Sequence, residues 1–176
     1  RDVAVIKIPA FNAAALAAVR KDLEEAKRRQ ITKVIVDLRG SIGGEITDAV
    51  PLAALFVGKG PVATVVARKV AARPLESQSD AVWTGKTVVL MDDSTAGPAE
   101  VFAAALHDRA KAPTLGETTV GMAIIQKAVP TSEGGSLYMT VGRYVSPSGQ
   151  ILGGKGLSPD ERIVVYAGGL PLYVDG

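Results

Sequence analysis

Two turns of the sequence contain the residue types from which a nucleophile site and an oxyanion hole are built. The first runs from Asp92 to Gly97, after the apolar run Thr87 to Met91, and leads into an Ala-rich segment. Free N–H groups at a strand-to-helix turn can stabilise a developing oxyanion, and many hydrolases hold their nucleophile there. In this chain that place is taken by Gly97 and Pro98, with Glu100 at the third helical position, where its charge complements the helix dipole.

The second turn, Gly40 to Gly44, follows the buried-strand pattern of Val34 to Leu38. It lacks the Gly-x-Gly-x-x-Gly spacing of a dinucleotide loop and the Gly-Lys-Ser/Thr ending of a phosphate loop. By itself it is most simply a tight turn. Two such turns after two parallel strands, however, can each supply one N–H to a divided oxyanion hole.

Five segments share a further pattern with a known family. They are Val36 to Gly44, Ser94 to Glu100, Leu115 to Gly121, Tyr144 to Gly149, and Gly154 to Asp160. In this order, and over most of the chain, they resemble the carboxyl-terminal processing (tail-specific) serine proteases. The resemblance implies an α/β fold, a crotonase-like stacked ββα core with a largely parallel central sheet plus a β-hairpin. It also implies a Ser/Lys dyad and a periplasmic or exported setting.

The family places a PDZ domain ahead of this core, and no PDZ segment is present in these residues. We therefore expect residues 1–176 to be a single core domain, taken from a longer protein. The resemblance implies an extended polypeptide C-terminus as the partner, and leaves an oligomer possible.

The resemblance also assigns the catalytic positions. The nucleophile is expected three residues before Glu100, at Gly97, and the general base after Gly121, at Met122. Glycine has no side chain, and a thioether accepts no proton at neutral pH. Pro98 lacks the N–H that the family takes from the residue after its nucleophile. The remaining expected site residues are Gln126, which would orient the base, and the oxyanion or peptide-binding residues Gly43, Gly44, Ala96, Pro98 and Gly121.

Other side chains near the first turn could in principle replace the dyad. Ser94 and Thr95 lie in the turn itself, and His107 is the only histidine. A helix that begins at Pro98 would put His107 about 15 Å along its axis. Ordinary roles are therefore expected, namely turn hydroxyls bonded to backbone and a surface imidazole. Asp108, where the family commonly carries an aspartate, is expected to be a solvated surface residue.

The composition limits the fold class and the other functions that the chain could have. The 176 residues are 47% hydrophobic and only 5% aromatic, which indicates one Ala- and Val-rich core of the α/β class. The net charge of +2 is dispersed, so no nucleic-acid partner is expected. The chain has no cysteine, and no apolar run approaches the roughly 20 residues of a membrane span. We expect no metal and no cofactor.

Apolar periodicity and turn residues predict the elements that position these residues. Val3 to Ile8 is predicted as a strand before a helix capped by Asn12, and Pro51 indicates a kink or a helix that starts near Thr47. Lys69 to Trp83 is predicted as the longest loop, with Trp83 as a hydrophobic plug. The remaining predictions are a strand at Val62 to Ala67, a hairpin of Ala123 to Val129 with Ser136 to Tyr144, a last strand at Ile163 to Tyr166, and an irregular tail from Gly168.

Three functional hypotheses follow. The first is a protease core that has lost its dyad and retains a groove for extended polypeptide. The second is an active serine-type endopeptidase with an unrecognised nucleophile. The third is a module for small apolar ligands, since the core is also similar to the repeats of the interphotoreceptor retinoid-binding protein. An acyl-CoA enzyme is disfavoured because no basic cluster is placed for the nucleotide phosphates.

Overall fold

A computed structural model describes residues 3–132, 134–165 and 171–173. The helices are α1 (Ala13–Arg28), α2 (Ala49–Val57), which follows a 3-10 turn at Ile46–Asp48, and α3 (Pro98–Ala110). The strands are β1 (Val3–Lys7), β2 (Ala10–Phe11), β3 (Lys33–Asp37), β4 (Gly43–Gly44), β5 (Gly60–Ala67), β6 (Val70–Ser77), β7 (Lys86–Met91), β8 (Thr114–Gly116), β9 (Ile124–Pro130), β10 (Ser136–Val145), β11 (Glu161–Val165) and β12 (Pro171–Tyr173).

The central sheet has the strand order β1-β3-β7-β8-β11-β12, and all its pairings are parallel except that of β11 with β12. Its short β-branched runs alternate with helices, which is the pattern of an α/β fold. Phe102 of α3 packs edge-on against Phe11 and Phe56, with ring centroids 5.5 and 5.7 Å apart. The predicted α/β class with a largely parallel sheet is confirmed. The carboxyl ends of β3 and β7 lie side by side and carry the two glycine-containing turns.

A second sheet, ordered β6-β5-β10-β9, is antiparallel throughout. The predicted hairpin is confirmed as β9 and β10. The prediction of a loop from Lys69 to Trp83 is wrong, because Val70–Ser77 forms β6 against β5. Most of β6 is exposed on both faces, so its sequence lacks the alternation that reveals a half-buried strand. Trp83 is buried in the core as predicted.

The start of α2 is close to the predicted one. Helical structure begins with the 3-10 turn at Ile46, and Pro51 is the third residue of α2, where its missing N–H leaves no bond unmade. Of the predicted last strand, residues 163–165 lie in β11, and Tyr166 lies outside the described residues. The predicted irregular tail is wrong at Pro171–Tyr173, which pairs with β11. In the described residues, no helix is both long enough and apolar enough to span a membrane.

Candidate functional site

The turn at Gly97, where the resemblance predicts the nucleophile, leads directly into α3. Gly97 is the N-cap of α3 with φ 61° and ψ −115°, and Pro98 is the first helical residue. A left-handed φ strains any residue with a side chain, and such strain is typical of a nucleophile turn. Apart from Gly97, its chain neighbours and the adjoining helix backbone, no atom of the described residues lies within 4 Å of the place where a Cβ would stand. The turn therefore has space for a side chain that the sequence does not supply.

The Thr95 hydroxyl bonds to backbone as predicted, whereas the Ser94 hydroxyl bonds to a side-chain carboxylate. Thr95 is fully buried. Its Oγ1 accepts the Asp92 N–H at 3.0 Å, and the same Oγ1 lies 3.0 Å from the Leu38 carbonyl oxygen. Ser94 Oγ lies 2.9 Å from Asp92 Oδ1. Burial alone would raise the pKa of Asp92, but hydrogen bonds from Gly40, Ser94 and Thr95 outweigh it and lower that pKa. Within the part of the chain that the structure describes, neither hydroxyl forms a hydrogen bond to a histidine or lysine.

The two glycine-containing turns are bonded to each other. Ala96 N–H donates to the Ser41 carbonyl oxygen at 2.9 Å, and Gly40 N–H donates to Asp92 Oδ1 at 3.1 Å. Beyond them, Gly43 and Gly44 form β4, which pairs in parallel with β2. Gly44 has φ 108°, and a Cβ there would lie only 2.0 Å from the carbonyl oxygen of Phe11. Glycine is therefore required where β4 passes β2.

A third segment, Thr119 to Met122, lies against the opposite side of the Gly97 turn. Val120 N–H donates to the Thr95 carbonyl oxygen at 3.0 Å, and Gly154 N–H donates to the Gly121 carbonyl oxygen at 2.7 Å. Met122 is 49% exposed. Gln126 is exposed on β9. The structure thus brings together the segments that carry Gly97, Gly43 and Met122.

Glu100 joins these segments, which the sequence did not indicate. Its side chain is fully buried. Oε2 accepts the Gly97 N–H at 2.9 Å, and Oε1 accepts the Gly121 N–H at 2.6 Å and the Thr119 hydroxyl at 2.5 Å. We expected only a favourable interaction with the helix dipole. The available signal was a single acid in an otherwise apolar helical stretch, since a buried carboxylate requires partners.

The far end of α3 holds a second polar cluster. His107 Nδ1 lies 3.0 Å from Asp108 Oδ1, and Nε2 lies 3.2 Å from Asp160 Oδ1. Asp108 Oδ2 accepts the Ser148 N–H at 2.8 Å. The Asp108 side chain is only 7% exposed, so the prediction of a solvated surface residue is wrong. It is buried because the Ser146–Gly149 turn folds over it, and the sequence separation of 40 residues hid this contact.

The charges of this cluster shift its pKa values. Partial burial alone would lower the pKa of His107, but the hydrogen bond to Asp108 and the charge of Asp160 outweigh it and raise that pKa. Burial alone would raise the pKa of Asp108, but hydrogen bonds from Ser146, Ser148 and His107 outweigh it and lower that pKa. His107 lies nine residues beyond Pro98, about 14 Å along α3, and cannot act as a base at the Gly97 turn.

No group of three or more His, Asp or Glu side chains placed to hold a metal ion occurs within the described ranges. At the Gly97 turn, two further segments approach the start of α3. The sequence profile of Peptidase family S41 matches residues 2–163. The chain belongs to peptidase family S41. That family acts on polypeptide substrates.

Named relatives agree with this assignment. The chain is 32% identical over 166 residues to the chloroplastic carboxyl-terminal-processing peptidase 1 of Arabidopsis thaliana, covering 91% of this chain and 33% of the relative. It is 30% identical over 162 residues to the carboxy-terminal processing protease CtpA of Bacillus subtilis, covering 92% and 35%. The chain therefore spans about a third of the length of these S41 relatives.

Solved structures place the same fold in S41 peptidases. The photosystem II D1 C-terminal processing protease superposes with a TM-score of 0.79 at 28% identity, covering 90% of this chain and 41% of that protein. A putative peptidase of Parabacteroides merdae superposes with a TM-score of 0.77 at 14% identity, covering 94% and 55%, which is a likeness of fold alone.

Proposed function

We propose that this S41 core binds extended polypeptide, in particular polypeptide C-termini, without cleaving it. The observation that supports this is position 97: the turn keeps the strained geometry and the space of a nucleophile site, and the residue is glycine. Met122, at the base position, offers no proton acceptor, and Pro98 offers no N–H to an oxyanion.

The loss of rate expected from these positions is too large for the chain to act as a peptidase. Removal of one oxyanion-hole donor costs about a hundredfold to a thousandfold in rate. Removal of the nucleophile of a serine protease costs on the order of a millionfold. The buried Thr95 hydroxyl and the Ser94 hydroxyl, which lies against Asp92, offer no replacement.

The proposed groove has an open strand edge and apolar side chains. In the described part of the chain β4 pairs with β2 alone, so its other edge can add an extended peptide through main-chain hydrogen bonds. Ile42, Val120 and Met122 are exposed large apolar residues on the segments that flank Gly43, Gly97 and Gly121. Such side chains contact apolar side chains of a peptide, which points to apolar-tailed, unstructured polypeptide as the ligand.

The chain offers a matched pair for testing this proposal. Met122 is 49% exposed at the proposed groove, and Met139 is 48% exposed on β10. Isothermal titration with a peptide ending in apolar residues should give binding that Met122→Lys weakens about tenfold, or roughly 1.4 kcal/mol, and that Met139→Lys leaves unchanged. Mass spectrometry of the same mixtures should show intact peptide. Equal effects of the two substitutions would place binding outside this groove.

The rival hypothesis of an active peptidase has its own test. Treatment with a fluorophosphonate, followed by mass spectrometry, should leave every Ser and Thr unlabelled. A labelled hydroxyl, or peptide cleavage that Ser94→Ala or Thr95→Ala abolishes, would overturn the proposed inactivity.

The remaining parts of the proposal rest on family resemblance. We propose a periplasmic or exported location, to be checked by fractionation of the source cells. The third hypothesis, an apolar ligand, predicts a co-purifying lipid in native mass spectrometry. Its absence together with peptide binding would favour the polypeptide.

A further inference from the structure

Glu100 contacts both segments that carried the family's reacting groups, although neither reacting group is present. One oxygen of its carboxylate holds the Gly97 amide, and the other holds the Gly121 amide and the Thr119 hydroxyl. We propose that Glu100 is a positioning residue, which fixes the Gly97 turn relative to the Thr119–Met122 segment and so keeps the groove shaped for peptide. This inference rests on the proposed function, because the groove is the peptide site proposed above.

The contacts are those of a clamp between two loops. Apart from the Glu100 contacts, the two segments are joined in the described residues by the hydrogen bond from Val120 N–H to the Thr95 carbonyl oxygen. A single hydrogen bond lets one loop rotate about the other. The carboxylate adds bonds on both sides, and hydrogen bonds to a charged acceptor are stronger than neutral ones.

The clamp also reaches the segment that contains Leu157. The Thr119 hydroxyl donates to Glu100 Oε1 and accepts the Leu157 N–H at 2.8 Å, so both of its hydrogen-bonding roles are used. Leu157 directly follows the glycine turn that packs against Gly121, where a Cβ would lie 2.9 Å from the Gly156 nitrogen. The Gly121 backbone is therefore held from both sides, and Met122 follows it directly.

The bonded amides are at the residues whose conformation matters most for the groove. Gly97 has φ 61° and Gly121 has φ 87°, and glycine adopts positive and negative φ about equally readily, so contacts from other residues are needed to fix these two backbones. Only one amide on each loop reaches the carboxylate, and each belongs to the glycine at or just before a position of the lost dyad. The bond to the Gly97 N–H is the one that a glutamate at the third helical position commonly makes to the N-cap amide, and the bonds to Gly121 and Thr119 are what extend the carboxylate to the second loop.

The first experiment detects the hydrogen bonds to Glu100 in the absence of peptide. Strong hydrogen bonds to a carboxylate shift amide protons downfield, so the Gly97 and Gly121 resonances in a ¹H–¹⁵N spectrum should lie at the low-field end. Glu100→Gln replaces one acceptor oxygen with an NH₂ donor, which cannot accept either amide. At least one of the two resonances should then move upfield. Glu117→Gln, in a partly buried acid of a neighbouring segment, should leave both in place.

The second experiment separates positioning from stability. Asp108→Asn disturbs the opposite end of α3 and serves as the control for a loss of stability that leaves the groove in place. Glu100→Gln should weaken binding of the apolar-tailed peptide about tenfold, roughly 1.4 kcal/mol, while Asp108→Asn leaves the affinity unchanged. Equal losses of affinity in the two variants, or unmoved glycine resonances, would overturn the positioning role.

A milder pair covers the case in which Glu100→Gln does not fold. Thr119→Val removes the hydroxyl while keeping the side-chain shape, and Thr119→Ser keeps the hydroxyl. Thr119→Val should shift the Gly121 resonance and weaken peptide binding, and Thr119→Ser should restore both; failure of that rescue would contradict the clamp. If the unaltered chain binds no peptide, the proposed function fails, while the glycine resonances still decide whether Glu100 holds the two loops.

Discussion

Both ends of α3 are joined to segments distant in sequence, but by different chemical groups. At the first end, the fully buried carboxylate of Glu100 joins two loops by accepting backbone amides and a hydroxyl. At the other end, Asp108 and Asp160 hold His107 between them, and the imidazole is 38% exposed. Both ends join α3 to segments distant in sequence, but only the second relies on side chains that change charge near neutral pH.

The two ends of α3 differ in how their hydrogen-bonding groups respond to pH. Backbone amides and hydroxyls do not titrate in the physiological range, so the clamp partners at the Gly97 end keep their donors at any such pH. The partly exposed ion pairs at the His107 end are screened by water and contribute modestly. We therefore expect the Gly97 end to set the shape of the proposed groove and the His107 end to change stability with pH.

The largest expected effect is that of Glu100→Ala. Removing the carboxylate leaves the Gly97 amide, the Gly121 amide and the Thr119 hydroxyl without this acceptor, at about 1–3 kcal/mol for each orphaned group. We expect the free energy of unfolding, measured by urea titration, to fall by at least about 3 kcal/mol. A loss below about 1 kcal/mol would mean that water replaces the carboxylate and that the two ends do not differ in kind.

Asp108→Ala should have an intermediate effect. It removes the acceptor of the Ser148 N–H and one of the two carboxylates that face His107. A hydrogen bond to a charged group contributes about 1.5–3 kcal/mol, so we expect a loss of about 2 kcal/mol in the same urea titration. Asp80→Ala is the control, because Asp80 forms an exposed ion pair with Lys59 and should change stability by less than about 0.5 kcal/mol. Equal losses at Asp108 and Asp80 would contradict the burial of Asp108.

Local sequence patterns predicted much of the frame around this site. The β-branched runs predicted β1, β3 and β7, and the Gly97-Pro98 pair predicted the start of α3, because each depends on neighbours in sequence. β6 was missed because an exposed strand has no apolar alternation. The family motifs placed Gly97 and Met122 as the catalytic positions, and that assignment remains a prediction.

The contacts that hold the site could not be predicted in the same way. Glu100 bonds residues 19 and 21 positions away, and His107 meets Asp160 across 53 positions. Periodicity reports which face of an element is buried, and gives no information about which distant loop covers it. Asp108 was assigned to the solvent for this reason, since its partner turn at Ser148 lies on another element.

Gly97→Ser should cost about 1 kcal/mol, because a side chain at φ 61° is strained while the space around the Cβ is open. The substitution restores a hydroxyl, and peptide hydrolysis should stay undetectable because Met122 and Pro98 still provide neither base nor second donor. Urea titration measures the first effect, and mass spectrometry of a peptide mixture checks the second. Robust hydrolysis by this single variant would show that another group at the site acts as a base.

The smallest effect concerns His107 and pH. Its pKa is raised in the folded chain, so its contribution to stability is complete below the unfolded value of about 6.5 and is lost as pH rises through the folded value. The groups that face it are Asp108 and Asp160, whose lowered pKa values place their own losses in the acid range, while Lys111 bonds the Asp108 carbonyl oxygen. Because the imidazole is more than a third exposed, the loss between pH 6 and pH 8 should be about 0.2–1 kcal/mol.

His107→Gln should abolish that slope, since glutamine carries no proton that titrates in this range. Thermal unfolding of both chains at pH 6, 7 and 8 measures it, and the two melting curves should converge as the pH rises. An unchanged slope in His107→Gln would mean that the group responsible for the pH dependence has been assigned wrongly.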